Sequence, residues 1–144
     1  MQNYIRCELV RATRRYNDFV EREGYGVHLS NGDVIWMPKE DFEKQFFPLE
    51  ANPDLKSAVS ISKKMVEDFV KETEVITLGD KTTLVRVTLV NGFEILEASS
   101  CVDAENYSQE IGAKICLEKI RDKIWSYLGF ILQTAVNGVE GGAK

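Results

Sequence analysis

Apolar and polar positions alternate in blocks that divide the chain into short strands and helices. Residues 4–12 alternate imperfectly and predict a strand. Residues 14–23 (RRYNDFVERE) fit either a charged helical turn or a loop insertion. Residues 25–29 are apolar enough for a strand, and Ser30-Asn31-Gly32-Asp33 follows. Asn-Gly tolerates the positive φ values of a type I′ turn, so a two-residue hairpin is expected, with residues 34–37 returning. Pro38 ends that strand and suits the first position of a helix over 39–47. Phe42, Phe46 and Phe47 fall at helical spacing there and should lie on the sheet.

A connector over 48–56, with Asn52-Pro53-Asp54 as turn chemistry, leads to an amphipathic helix over 60–72. Its apolar side is Ile61, Met65, Val66, Phe69 and Val70, and Ser60 or Ser62 is placed to cap it. A strand over 73–78, a turn at Gly79-Asp80 and a strand over 82–90 follow. Thr83, Val85, Val87 and Leu89 share one face of the second strand, because strand side chains alternate with a period of two. Asn91-Gly92 predicts another two-residue hairpin, and residues 93–100 return with Phe93, Ile95 and Glu97 on one side. Each half thus holds an Asn-Gly hairpin followed by a helix, a loose echo rather than a repeat of known period.

The last helix is expected to begin near Asp103 or Asn106. Both are natural N-caps, and Glu105 and Glu110 place negative charge near the positive end of the helix dipole. Tyr107, Ile111 and Ile115 form an apolar stripe that Leu117, Ile120, Ile124, Leu128 and Ile131 extend. Glu118, Arg121, Asp122 and Ser126 make the polar side. Over residues 125–132 the polar face nearly disappears. A helix that is apolar all round needs cover on every side, so this end is expected to join subunits. The fold class is α+β: antiparallel β-hairpins packed with helices, ending in a long C-terminal α-helix. Residues 1–50 read as a hairpin-plus-helix module. Residues 57–136 hold the second helix, the remaining strands and the last helix, the two parts making one compact domain. The Gly-rich residues 137–144 read as a disordered tail.

Composition narrows the classes of function. The 144 residues carry a formal net charge of −5, with 44% hydrophobic and 28% charged positions, as in an ordinary soluble globular protein. Duplex nucleic acid is a poor partner, since non-specific binding to it needs a basic surface. A local basic pocket for a small anion is compatible with this charge. No apolar run is long enough for secretion or for a membrane span. Cys7, Cys101 and Cys116 have no metal-ligand spacing, and His28 is the single histidine. An odd cysteine count without a signal peptide points to free thiols in the cytosol. The sequence offers no Cys-His pairing, no phosphate-cradling glycine loop and no metal or cofactor set, so neither catalytic residues nor a cofactor is expected. Carboxylate pairs such as Glu97 with Asp103 arise easily by chance among 23 acids.

Binding residues are the better candidates. Trp36 is either core or an aromatic platform beside Lys39, suited to a nucleobase. Phe93, just after a tight turn, has the same two readings. Asp103 and Asn106 begin a helix whose free backbone N–H groups suit an anion, although the local acids oppose one. Lys114 and Arg121 lie further along that helix, as a solvated face or as a phosphate clamp. The candidate ligand-binding set is therefore Trp36, Lys39, Phe93, Asp103, Asn106, Lys114 and Arg121.

One stretch carries a family resemblance. Asn91-Gly92-Phe93, Ser100-Cys101-Val102-Asp103, Asn106-Tyr107, Glu110-Ile111-Gly112, Lys123-Ile124-Trp125 and Gly129 together resemble a family of small accessory proteins of tailed phages, with members in phages N-four and Sf-six. The first half, with Gly24-Tyr25, Asn31-Gly32-Asp33, Trp36-Met37-Pro38-Lys39 and Phe42-Glu43, resembles another phage module, in which serine is more usual at the place of Met37. In length, hairpins and terminal helix the chain also resembles the anti-Thoeris sponges of the first Tad type. That resemblance implies a phage-encoded, non-enzymatic oligomer in the cytoplasm of the infected bacterium. It would sequester a nucleotide immune signal of the cyclic ADP-ribose or cyclic oligonucleotide type. A protein-binding inhibitor of a host enzyme, and a nucleotide-degrading enzyme with Glu97 or Asp103 as base, are the alternatives.

Overall fold

Two three-stranded antiparallel meanders organise the chain, and each is accompanied by helices, so the α+β expectation holds. The computed structural model describes residues 1–140. It divides into two units, Met1–Leu49 with the residues from 131 onward, and Glu50–Phe130.

In the first unit the sheet runs β1 (Arg11–Asn17), β2 (Arg22–His28) and β3 (Val34–Pro38), followed by α1 (Lys39–Gln45). The strand expected over 4–12 begins instead at Arg11, and the segment expected as a helical turn or loop is largely β1 and its turn. An edge strand keeps its long polar side chains in water, so RATRRYN carries no apolar alternation to announce it. Its place is set by pairing with β2, from Arg11 opposite His28 to Asn17 opposite Arg22. Pro38 ends β3 and acts as the N-cap of α1 rather than its first residue. Tyr25, Phe42 and Phe46 stack in sequence, with centroids 4.1 and 4.6 Å apart, and tie α1 to the sheet. Phe47 lies beyond the helix and is exposed.

The second unit contains α2 (Lys63–Asp68), β4 (Val70–Leu78), β5 (Thr82–Leu89), β6 (Glu94–Ser100), a 3-10 turn at Ala104–Asn106, and α3 (Gln109–Asn137), whose last residues fall in the first unit. The helix expected over 60–72 shrinks to six residues. Val70 leaves it to pair with Leu89, with a bulge before Glu72. Its apolar side is nonetheless buried as the spacing required, through Ile61, Met65, Val66 and Phe69. Ser62 caps it, its hydroxyl accepting from the Met65 amide at 3.2 Å.

Both Asn-Gly hairpins form, but not with type I′ turns. Gly32 (φ 92°) and Gly92 (φ 85°) are left-handed, whereas Asn31 and Asn91 are not. Each turn is a type I turn closed by a glycine bulge. The Gly32 amide donates to Leu29 O at 3.0 Å, and the Gly92 amide to Leu89 O at 2.9 Å. The asparagine side chains accept from Asp33 N at 2.9 Å and Phe93 N at 3.0 Å. This Asx bond holds asparagine in the right-handed region and leaves the positive φ to glycine.

The core of the second unit is the face of β5 formed by Thr83, Val85, Val87 and Leu89, all at most 1% exposed. Against it α3 buries Gly112, Cys116, Ile120, Ile124 and Leu128. Ile120, Ile124 and Leu128 of the expected stripe are buried, but in the first turns burial shifts by one position to Gly112 and Cys116, leaving Ile111 and Ile115 exposed, as is Ile131 at the far end. Gly112 sets the register. A Cβ at that position would lie 2.3 Å from Thr83 Oγ1 and 2.7 Å from Thr83 Cβ. The helix therefore touches the strand through its backbone, and the larger isoleucines flank the contact. The start of α3 is also later than expected. Asp103 caps the 3-10 turn, and the Ser108 hydroxyl accepts from Ile111 N at 3.3 Å at the head of the helix. At its other end Gly138 (φ 66°) donates to Thr134 O at 2.8 Å. Of the expected disordered tail, residues 141–144 lie outside the described residues.

Candidate functional site

The ends of β5 and β6, the 3-10 turn and the first turn of α3 enclose a cleft of about 110 Å³. Lys81, Ser99, Ser100, Cys101, Asn106 and Ser108 give it a polar rim, and Ile111, Gly112 and Ile115 form one wall. The close approach of Gly112 to Thr83 brings this wall to the sheet. Cys101 is anchored by its amide, which donates to Lys81 O at 3.0 Å, and its thiol donates to Asp103 O at 3.1 Å.

A hydroxyl network braces the floor. The Tyr107 hydroxyl lies 2.7 Å from Thr77 Oγ1 and 3.0 Å from Thr83 Oγ1. Gln109 Nε2 donates to Thr77 Oγ1 at 2.9 Å, and the hydroxyls of Thr82 and Ser100 meet at 2.8 Å. Thr83 is the buried member of this network, and a buried hydroxyl is costly unless partnered, which Tyr107 provides. Deeper in, Cys116 is fully buried and its thiol points to Thr83 O at 3.9 Å. Burial pushes that thiol above its ordinary value, with nearby Lys119 opposing the shift, so Cys116 stays protonated.

Glu97 and Lys123 join β6 to α3 through a hydrogen-bonded ion pair. Hydrogen bonding to Lys123 holds the Glu97 carboxyl below its usual range, and the same bond raises Lys123. Glu97 is thus engaged in holding the helix.

Of the residues singled out in the sequence, only Asn106 lines this cleft. Asp103 is used as a cap, its Oδ1 accepting from Glu105 N at 3.0 Å. Phe93 stands at the opposite end of β6, edge-on to Tyr127 at 5.8 Å. Seven strand residues at about 3.3 Å each separate it from the cleft by roughly 20 Å. Lys114 and Arg121 are exposed on α3 outside the lining. Trp36 and Lys39 lie in the first unit, where Lys39 borders a separate cleft of about 200 Å³ with Arg22, Glu23, Pro38 and Glu40. The residues missed were Lys81, Ser99, Ser100, Cys101, Tyr107 and Ser108. Most of them sit inside or beside the run SSCVDAENYS, so the available signal was that run itself rather than its aromatics.

Among the described residues, no cluster of three or more His, Cys, Asp or Glu side chains is placed to hold a metal ion. No helix among them is long and apolar enough to cross a membrane. The model of the phage protein (N4 Gp49/phage Sf6 gene 66) family matches residues 61–136, just over half of the chain. The chain belongs to that family. The family region contains every cleft-lining residue, while the β1-β2-β3 sheet lies outside it. Neither the curated proteins nor the solved structures offer a match.

Proposed function

We propose that this phage protein acts by binding rather than by chemistry, capturing and sequestering a nucleotide immune signal in the cytoplasm of the infected host. The observation that carries this reading is the polar cleft that the family region builds at the head of α3. Hydroxyls, an amide and the Lys81 ammonium around an apolar wall suit a ribose or a phosphoryl group. The nucleophile-bearing side chains there are engaged in the fold: Cys101 with a carbonyl, and Tyr107 with two threonines. Those commitments favour holding a ligand over transforming it. The resemblance to anti-Thoeris sponges of the first Tad type supplies the ligand class, cyclic ADP-ribose derivatives or cyclic oligonucleotides. The first-half phage module, with its Trp-Met-Pro-Lys run, belongs to this proposal as well.

A cleft of about 110 Å³ is below the roughly 300–1,000 Å³ that encloses a drug-sized ligand. It grips one end of such a molecule, and a second copy of the chain supplies the remaining wall. The exposed Trp125, Tyr127 and Ile131 on α3 support association through that helix. Titration calorimetry against glycocyclic ADP-ribose and cyclic di- and trinucleotides tests the reading. Binding with recovery of intact ligand after denaturation is expected. A new product on chromatography would replace the sponge with an enzyme, and no heat at tens of micromolar across the panel would remove the proposal.

A further inference from the structure

The β1-β2-β3 sheet has one face with a composition that the rest of this acidic chain lacks. Directly paired residues share a face, so the register places four rows on it. The first row is Arg11, His28 and Val34, and the second is Thr13, Gly26 and Trp36. The third is Arg15, Gly24 and Pro38, and the last is Asn17 with Arg22. Three arginines and no acid occupy these strand positions. Arg11, Arg15 and Arg22 are exposed, and none joins an ion pair among the described residues.

Gly24 and Gly26 are buried, and Gly24 leaves room for a neighbouring side chain to lie across it. At Gly24 a Cβ would lie 2.6 Å from Trp36 Cε2 and 2.3 Å from Met37 O, so the indole covers that residue. Trp36 Nε1 donates to Arg15 O at 3.1 Å, which fixes the ring across all three strands. The ring remains only half-buried there. Arg22 also lines the cleft of about 200 Å³ that Lys39 borders, together with Glu23, Pro38 and Glu40. By strand rise, Arg11 and Arg15 stand about 13 Å apart along the edge. Arg15 and Arg22 are diagonal neighbours at roughly 7–8 Å.

We infer that this face binds single-stranded nucleic acid, with Trp36 stacking on a base and Arg11, Arg15, Arg22 and Lys39 holding successive phosphates. The occupant follows from charge and shape together. An acid-free row of arginines calls for a polyanion, and an anchored indole beside it supplies the stacking that sequence-independent strand binding uses. A flat three-stranded face presents such a platform to splayed bases, not to the regular backbone of a duplex. The face lies in the first unit, so this inference does not depend on the cleft of the second.

The test uses the full chain with Trp125→Phe, which leaves Trp36 as the single tryptophan. It is titrated with a fluorescein-labelled dodecathymidylate, following anisotropy and, with unlabelled oligonucleotide, Trp36 emission. Quenching of Trp36 and a dissociation constant of roughly 1–100 µM at low salt are expected. With four cations on phosphates, log K should fall against log salt with a slope of about −3. Arg15→Glu with Arg22→Glu should weaken binding at least tenfold and flatten the slope. Arg15→Gln with Arg22→Gln, which avoids reversed charge, should do so in the same direction if the first variant fails to fold. No anisotropy change up to 100 µM, unchanged affinity in the folded variants, or equal binding of poly-glutamate would overturn the inference.

Discussion

Gly112→Ala is the substitution that most sharply tests how the second unit is held together. Its new Cβ would enter to 2.3 Å from Thr83 Oγ1 and 2.7 Å from Thr83 Cβ, against a side chain with no exposure. The threonine Cβ cannot swing clear, because it is fixed to the backbone of a central strand, and turning the hydroxyl away would leave that contact in place. The helix must lift from the sheet, which overpacking precedents put at about 1–3 kcal/mol. Alanine returns about 1 kcal/mol of helix propensity over glycine, so with this short contact in the upper part of that range, at about 2–3 kcal/mol, the net loss is roughly 1–2 kcal/mol. Gly129, in the same helix, has nothing within 4 Å of its would-be Cβ. Gly129→Ala should therefore stabilise by up to about 1 kcal/mol. Urea unfolding followed by circular dichroism reads both, with midpoints moving in opposite directions by roughly 0.5–1 M for Gly112→Ala and less for Gly129→Ala. Thr83→Ala removes the nearest atom, so the Gly112→Ala/Thr83→Ala double variant should lose less than the sum of its parts. A Gly112→Ala protein as stable as the parent would refute the close approach, and with it the register of α3 that shapes the cleft.

Three further outcomes follow from the same contacts. Tyr107→Phe removes the hydroxyl shared by Thr77 and Thr83 and leaves the buried Thr83 Oγ1 short of a partner, costing about 1–3 kcal/mol in urea unfolding. Native protein should react with dithionitrobenzoate at Cys7 and Cys101, and at Cys116 only after denaturation, so three fast native thiols would contradict the burial of Cys116. The Glu97–Lys123 pair gives a pH signature. The lowered Glu97 contributes stability above the ordinary carboxylate range that is lost as pH falls through its folded value, while the raised Lys123 contributes below the ordinary lysine range and loses it as pH rises through its own. Glu97→Gln should remove both slopes from a pH series of thermal midpoints.

Much of the fold was legible because local chemistry and tertiary packing agreed. The alternation in β5 named its buried face outright, and both Asn-Gly pairs marked real hairpins. Disagreement appeared where distant pairing decided. Strand β1 is polar because it is an edge, and its identity resides in β2. The helix at Lys63–Asp68 stops early because Val70 has a distant strand partner in Leu89. The stripe of α3 holds at Ile120, Ile124 and Leu128, and slips by one position only in its first turns, because isoleucine outranks glycine in any apolar count although only glycine permits the contact with Thr83. The cleft was less legible still. Its region was marked by the run around Asn106, but Lys81 and Thr83 reach it from the β4–β5 turn and β5, by topology rather than spacing. Conversely, Trp36 and Phe93 draw attention as aromatics, yet neither lines it.

We propose the cleft at the head of α3 as the place where this phage protein holds a nucleotide signal. Amide chemical shifts of labelled protein, recorded while glycocyclic ADP-ribose or a cyclic dinucleotide is added, test it most directly. Saturable shifts centred on Lys81, Ser99, Ser100, Cys101 and the amides from Asn106 to Gly112 are expected, with the ligand recovered intact. Shifts confined to other surfaces, or none at millimolar ligand, would contradict it.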